Sequence, residues 1–330
     1  MKLLNFKVNE QNFFGIASGD NAVSFVTLQS QHHKHFPDLD NIYAYLDNLP
    51  QSFEHASVLK NLAPDFIKDR NAEGIYPLSE VRVLPPIPRP IALLDFGLTP
   101  RHLLNSTRTM LKYEWGSLMS RIVTPLLKKR FYEMCCSGTP PYYKGNHLTI
   151  IGDYDEIGWP SYTSYLDIEP ELALLTGNAQ CRIAGYLIFN DASARDIQFP
   201  EMIGLGPSRS KDFFNGNGLG PFLVTPDEIP DPLSLQVTVK VGTRFIWRGS
   251  TSEYVLHPEK LVDYFQSIFP FVPGIVLGMG TVPECTGLDN DQWINPGELV
   301  EITFDGLGTL HQRIPEKPGV LEKSRWPKRF

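Results

Sequence analysis

From about residue 140 onward the chain is built of short apolar runs broken by glycine and proline, and these read as strands. The runs at 147–152, 164–175, 181–190, 220–225, 233–241, 244–249, 275–281 and 298–304 all have strand length. Many of them do not alternate cleanly, so burial on both faces is expected. Few helical stretches lie between them, which argues against a doubly wound parallel sheet. Two helices are predicted earlier, over 101–112 and 119–136. The first 85 residues form a different pattern. Strands at 3–6 and 22–28 flank a turn at 15–21, and one or two helices follow within 39–70. There Asp40 is a candidate cap, and Ile42, Tyr45 and Leu46 fall at helical spacing. Val83-Leu84-Pro85-Pro86-Ile87-Pro88-Arg89-Pro90 then packs four prolines into six residues, a stiff extended linker. The expected organisation is a small N-terminal β-containing domain with its linker at 1–90, then a mainly β domain with flanking helices (α+β) at 91–330.

Composition narrows the class. Apolar residues make up 42% and charged residues 20%, enough core and too little charge for disorder. The net charge of −7 argues against a general nucleic-acid binder. No apolar run reaches about 18 residues, so no membrane span is expected. The N-terminus lacks the apolar segment of a signal peptide, which points to the cytoplasm. Cys135, Cys136, Cys181 and Cys285 fit neither a zinc motif nor a disulfide framework and read as reduced thiols. The histidines of Gln31-His32-His33-Lys34-His35 read as a solvated polar turn rather than a metal site.

Three stretches carry candidate chemistry. In Tyr165 to Leu175, read as a strand, Glu169 and Glu171 share a face, and Asp167 joins them if the strand is regular that far. Two carboxylates turned inward repel each other and lose hydration, which a divalent cation relieves. An edge strand with solvated glutamates is the alternative, and Pro170 is compatible with one. Next, the apolar run Ile183 to Phe189 ends at Asn190-Asp191. Asp191 is either a site residue or the N-cap of a following helix, on which Arg195 and Gln198 share a face. Finally, the glycine-rich stretch Gly206 to Pro221 opens no helix, so it is no nucleotide-binding fingerprint. It reads as a loop that carries Lys211.

Together these stretches resemble the fumarylacetoacetate hydrolase superfamily. The resemblance rests on Asp167-Ile168-Glu169-Pro170-Glu171-Leu172, on Gly185 to Gln198, and on Ser210-Lys211-Asp212 with Leu219-Gly220-Pro221. Pro273-Gly274, Gly280-Thr281, Pro296-Gly297-Glu298 and Gly306-Leu307-Gly308-Thr309 agree with it. It implies a mixed β-sandwich or β-roll catalytic domain over about 91–312. It also implies metal ligands at Glu169, Glu171 and Asp191, with Asp95 of Leu94-Asp95-Phe96 as the fourth. The implied general base is His102, with Asp289 as its acidic partner or Glu284 in second place. Arg195, Gln198 and Lys211 are implied to stabilise an oxyanion, and Tyr143 and Thr281 to contact substrate. A homodimer and a divalent cation, Mg²⁺ ahead of Ca²⁺ or Mn²⁺, complete the expectation. Gly97 stands where fumarylacetoacetase has a substrate-binding tyrosine, Leu111 lies near the place of a substrate-binding arginine, and Ile275 replaces an aspartate. The first two departures point away from fumarylacetoacetate itself.

The implied activity is metal-dependent hydrolysis of a C–C bond in a small oxo-acid, a β-diketone or acylpyruvate. The alternatives are an oxaloacetate-type decarboxylase or a 2-oxo-acid tautomerase or isomerase on the same scaffold. A third is a metal-binding family member without turnover.

Overall fold

The computed structural model describes residues 1–67, 74–316 and 324–330. A 12-stranded mixed sheet forms its centre. Across its main path run Ile75–Pro77, Asn21–Ser24, Gln11–Ser18, Lys2–Val8, Asn217–Val224, Ile183–Asp191, Pro170–Thr176, Ile275–Thr281, Ala92–Phe96 and Tyr142–Gly145. A separate four-stranded antiparallel sheet holds Phe245–Ser250, Gln236–Val241, Leu299–Phe304 and Gly308–Arg313. The mainly β, α+β architecture is as the apolar runs foretold.

The central strands explain their own sequences. Every residue of Pro170–Thr176, Ile183–Asp191 and Ile275–Thr281 is buried, which is why those runs show no polar alternation. Leu299–Phe304, by contrast, alternates between buried and half-buried positions.

The chain on both sides of the proline-rich segment feeds one sheet. Lys2 and Leu3 pair with Val224 and Leu223, and Arg82–Leu84 pairs with Lys2–Val8. One apolar cluster joins Phe14, Phe25 and Tyr45 to Leu93, Leu187 and Val276.

Several local expectations need correction. Residues 15–18 continue the strand Gln11–Ser18 rather than forming the turn, because Gly15 lets Val23 approach closely; a Cβ there would lie 2.0 Å from the Val23 carbonyl oxygen. The strand expected over 22–28 stops at Ser24, whose hydroxyl caps the helix Phe25–Gln31. Asn41 rather than Asp40 caps Ile42–Asp47, accepting from the N–H groups of Tyr43 and Ala44 at 3.0 Å. The helix Pro258–Ile268 and the strands Ala92–Phe96 and Gly308–Arg313 were not foreseen.

Helices Pro100–Trp115 and Ser117–Cys135 lie close to their expected places. Pro100 suits the first helical position, where no N–H is needed. The Thr99 hydroxyl does not cap this helix but donates to the Thr281 carbonyl at 2.8 Å, tying the helix start to the central sheet. Among the described residues no helix is long and apolar enough to cross a membrane.

Candidate active site

The central sheet delivers the carboxylates to one place. Glu171 pairs with Phe189 on one side and Thr281 on the other. The register slips between Glu171 and Ala173, and this bulge turns the Gly280 N–H onto Glu171 Oε2 at 3.0 Å. Gly280 has φ +94°, a conformation that favours glycine. Asp191 ends the strand Ile183–Asp191, and Asp95 sits beside Gly278 in the neighbouring parallel pair. Glu169 precedes its strand, with its N–H donated to Asn190 Oδ1 at 2.9 Å. One ligand oxygen from each of Asp95, Glu169, Glu171 and Asp191 lies within 4.8 Å of the others, and all four residues are buried.

The alternatives left open by the sequence resolve geometrically. Strand Pro170–Thr176 is buried and central, so Glu169 and Glu171 are not solvated edge residues. Ala194 occupies the N-cap of helix Arg195–Ile203, so Asp191 is not its cap. Asp167 does not join the cluster, because Ile168 and Glu169 lie outside the strands on either side. Its carboxylate instead accepts from Arg195 Nε at 2.9 Å and from the N–H groups of Gly287 at 2.8 Å and Leu288 at 2.9 Å.

Charge is unevenly shared within the cluster. Glu169 accepts from Arg195 Nη1 and from Lys211 Nζ, and Asp191 accepts from Lys211 and from the Tyr143 hydroxyl. Burial alone would raise the Glu169 pKa, but Arg195, Lys211 and His102 outweigh it and hold the carboxyl well below its ordinary range. Glu171 has no such partners beyond the Gly280 N–H and the Thr281 hydroxyl at 3.4 Å. Burial, then the Asp95 charge, push it well above the carboxylate range. Burial and Asp191 raise Asp95 to about 7. Asp191 is raised by burial, against the pull of Lys211.

His102, in the first turn of helix Pro100–Trp115, faces this cluster. Its Nδ1 lies 2.9 Å from Asp289 Oδ1 and its Nε2 3.6 Å from Glu169 Oε1. The first is a close ion-pair contact that is not aligned as a hydrogen bond. Burial lowers the His102 pKa, but Asp289 and Glu169 outweigh it and raise the imidazole to about 9. Asp289 is itself fixed by the Glu284 N–H, which donates to its Oδ2 at 2.8 Å. Glu284, the second choice for the acidic partner, is not brought to His102: its carboxylate turns outward and pairs with Arg101 at 2.5 Å.

Arg195 also donates to Gln198 Oε1 at 3.0 Å. Gln198, Lys211, Tyr143 and Thr281 all border one cavity of about 300 Å³ with His102, Asp95 and Glu169. No motif marks the apolar side of this cavity, formed by Met110, Met134 and Met202 among others. Nor did it single out Gly278, whose lack of a side chain leaves room for the carboxylates. A Cβ there would lie 2.7 Å from Glu171 Oε2 and 3.2 Å from Asp95 Oδ1.

The cluster suits a divalent cation. Asp95 Oδ1 and Asp191 Oδ1 are buried without a hydrogen-bond partner, and an all-oxygen set of carboxylates fits a hard cation such as Mg²⁺, Mn²⁺ or Ca²⁺.

Residues 129–315 match the family model for the fumarylacetoacetate (FAA) hydrolase C-terminal region. The chain belongs to the fumarylacetoacetate hydrolase family. A human relative within reach of this family member is the mitochondrial oxaloacetate tautomerase FAHD2A, 29% identical over 176 residues. That match covers 50% of this chain and 56% of the human protein, so little more than half the relative's length is compared. Among solved structures, maleylpyruvate hydrolase from Sphingobium sp. SYK-6, in complex with manganese(II) ion and pyruvate, superposes with a TM-score of 0.63 at 17% identity. The superposition covers 96% of this chain and 99% of that one. The 5-carboxymethyl-2-hydroxymuconate delta-isomerase from Mycobacterium smegmatis gives 0.63 at 22% identity, covering 96% and 100%. At these identities the two structures establish the shared fold. The named relatives include hydrolases, isomerases and a tautomerase.

Proposed function

We propose that this family member is a metal-dependent hydrolase that cleaves a C–C bond in a small 2,4-dioxo acid of the acylpyruvate type. The observation that carries this reading is His102. It borders the cavity beside the carboxylate cluster, with an acidic partner behind it at 2.9 Å. A tautomerisation needs no water, whereas hydrolysis needs a base to activate one, a role that a buried histidine–aspartate pair suits.

Asp95, Glu169, Glu171 and Asp191 would hold the cation, which supplies Lewis acidity toward the 2-oxo acid head. Asp289 fixes the imidazole of His102 and favours a proton on Nδ1, leaving Nε2 to take one from water. In the metal-free protein Glu169 helps keep His102 protonated; neutralising Glu169 removes one of the two anions that raise it. The resulting hydroxide adds to the distal carbonyl carbon. Breaking the bond from that carbon to the central methylene gives a carboxylate and the enolate of pyruvate, which is then protonated. Lys211 and Arg195 are cations at the cavity wall and would stabilise the developing oxyanion, with Gln198 held by Arg195 as a further polar contact. Tyr143 and Thr281 border the same space and would orient the substrate. The pyruvate bound in the maleylpyruvate hydrolase structure is the product such a cleavage would release.

The test compares wild type with His102→Ala, both stripped of metal and resupplied with Mg²⁺ or Mn²⁺. Each is offered acylpyruvates, fumarylacetoacetate and oxaloacetate. Metal-dependent cleavage by wild type, reduced about 10²- to 10⁴-fold in the variant, is expected. Oxaloacetate enolisation that survives in the variant, with no diketone cleaved by wild type, would overturn the hydrolase in favour of the activity named for the human relative, and surviving decarboxylation in favour of a decarboxylase.

A further inference from the structure

The cavity has a lining of two kinds. Asp95, Glu169, His102, Lys211 and Arg195 form its charged part. Leu103, Met110, Met134, Tyr142, Met202 and Leu288 also border it, and Met110 lies about two helical turns beyond His102. Among the described residues Arg195 and Lys211 are the only arginine and lysine that border it, and both are already paired with buried carboxylates. Among those residues no free cation therefore awaits a second acidic group on a substrate's far end. A carboxylate placed against the buried Met110 side chain would lose hydration and gain no cation in return.

One helix sets the direction of the wall. His102, Leu103, Ser106 and Met110 follow each other at helical spacing on the face of Pro100–Trp115 that borders the cavity. At 1.5 Å per residue the face extends about 12 Å from His102 to Met110. The base and the apolar surface are thus aligned along one line. A substrate whose distal carbonyl meets His102 carries its acyl substituent toward the methionines. Three of the chain's six methionines border this one cavity. Unbranched, polarizable methionine side chains adapt to apolar groups of varied shape.

We infer that the site is selective for 2,4-dioxo acids whose acyl end is an unsubstituted alkyl or aryl group, and that it discriminates against dicarboxylates. Leu103, Met110, Met134 and Met202 are the specificity-determining residues. The inference rests on the dioxo-acid reading of the carboxylate end.

The experiment measures kcat/KM for acylpyruvates from acetyl to hexanoyl, each beside a chain-matched analogue ending in a carboxylate. In parallel, Kd is measured calorimetrically for N-alkyl oxamates of rising length, which carry a 2-oxo acid head and no cleavable diketone, on the Mn²⁺-loaded protein. Burial of each methylene is expected to raise kcat/KM and tighten oxamate binding about fourfold. The dicarboxylates should fall at least about a hundredfold below their alkyl counterparts. Met202→Arg, at a half-exposed position that tolerates a new charge, should raise the dicarboxylates at least about tenfold and lower the alkyl series. Equal turnover across the series, or preference for dicarboxylates, would overturn the inference. If no acylpyruvate is cleaved, the hydrolase reading fails, and the oxamates still decide this one: affinity rising with chain length supports the apolar wall, and affinity independent of it overturns it.

Discussion

Glu169 and Glu171 are two residues apart and equally buried, yet they sit in opposite electrostatic surroundings. Glu169 lies among Arg195, Lys211 and His102, while Glu171 faces other acids and receives only weak or backbone donors. The same sequence motif therefore supplies one carboxylate whose pKa is depressed and one whose pKa is raised. The lesson is that position in a motif fixes where an acid points, whereas its neighbours from distant segments fix its protonation.

The sharpest way to break this comparison is to neutralise each acid in turn. Glu169→Gln leaves Arg195 and Lys211 short of a buried partner. It is expected to cost about 3–5 kcal/mol in metal-free stability, read by urea unfolding at neutral pH. Because the Glu169 pKa is depressed, wild type holds this stability above the ordinary glutamate range and loses it only as pH falls well below 4.5.

Asp289→Asn removes the charge that most raises His102. The imidazole should fall from about 9 by at least about one unit, or about 1.4 kcal/mol, as followed by NMR titration of the ring. An unchanged titration would show that Asp289 does not set the base.

Cation binding probes the other side of the comparison. Burial raises Asp95 to about 7 and Glu171 well above its ordinary value, so protons compete with a divalent cation for these acids. Affinity should rise about tenfold per pH unit for each proton released as pH climbs toward 7, with proton release seen by calorimetry in buffers of different ionisation enthalpy.

The smallest effect belongs to Glu171→Gln. Near pH 4 the acid is protonated in the folded protein and largely so in the unfolded one, so metal-free stability at that pH should change by less than about 1 kcal/mol while cation binding is lost. Raised acids bind more protons folded than unfolded, so the empty wild type should lose stability as pH rises from about 4 to about 7. Glu171→Gln should flatten that slope, checked by thermal unfolding across the range.

Much of this architecture could be read in advance where burial leaves a mark on composition. The largely apolar runs around residues 170–176, 183–191 and 275–281 read as buried strands, and the spacing of Glu169 and Glu171 left a shared site and a solvated edge as alternatives. Asp167 joins the pair only if the strand is regular that far, and the two-residue break that separates it cannot be seen in a period-2 pattern; its partners are 28 and about 120 residues away. Glu284 and Asp289 were indistinguishable by spacing. Only the short helix Gly287–Asn290, capped by Thr286, turns Asp289 inward while Arg101 draws Glu284 outward. The methionine wall was illegible because its members come from three helices and carry no motif.

The parallel pairing of Ala92–Phe96 with Ile275–Thr281, reinforced by a Thr99–Thr281 bond spanning 182 residues, has a consequence for how the protein comes into being. Glu169, Glu171 and Asp191 lie on adjacent antiparallel strands and can meet early, since the loop between them is short. Asp95 enters only when the strand at 275–281 has arrived between it and Glu171. A chain still being synthesised thus carries a three-carboxylate fragment of the site. The fourth carboxylate and the histidine join at the slow, long-range closure of the sheet, so the complete carboxylate cluster reports that folding has finished.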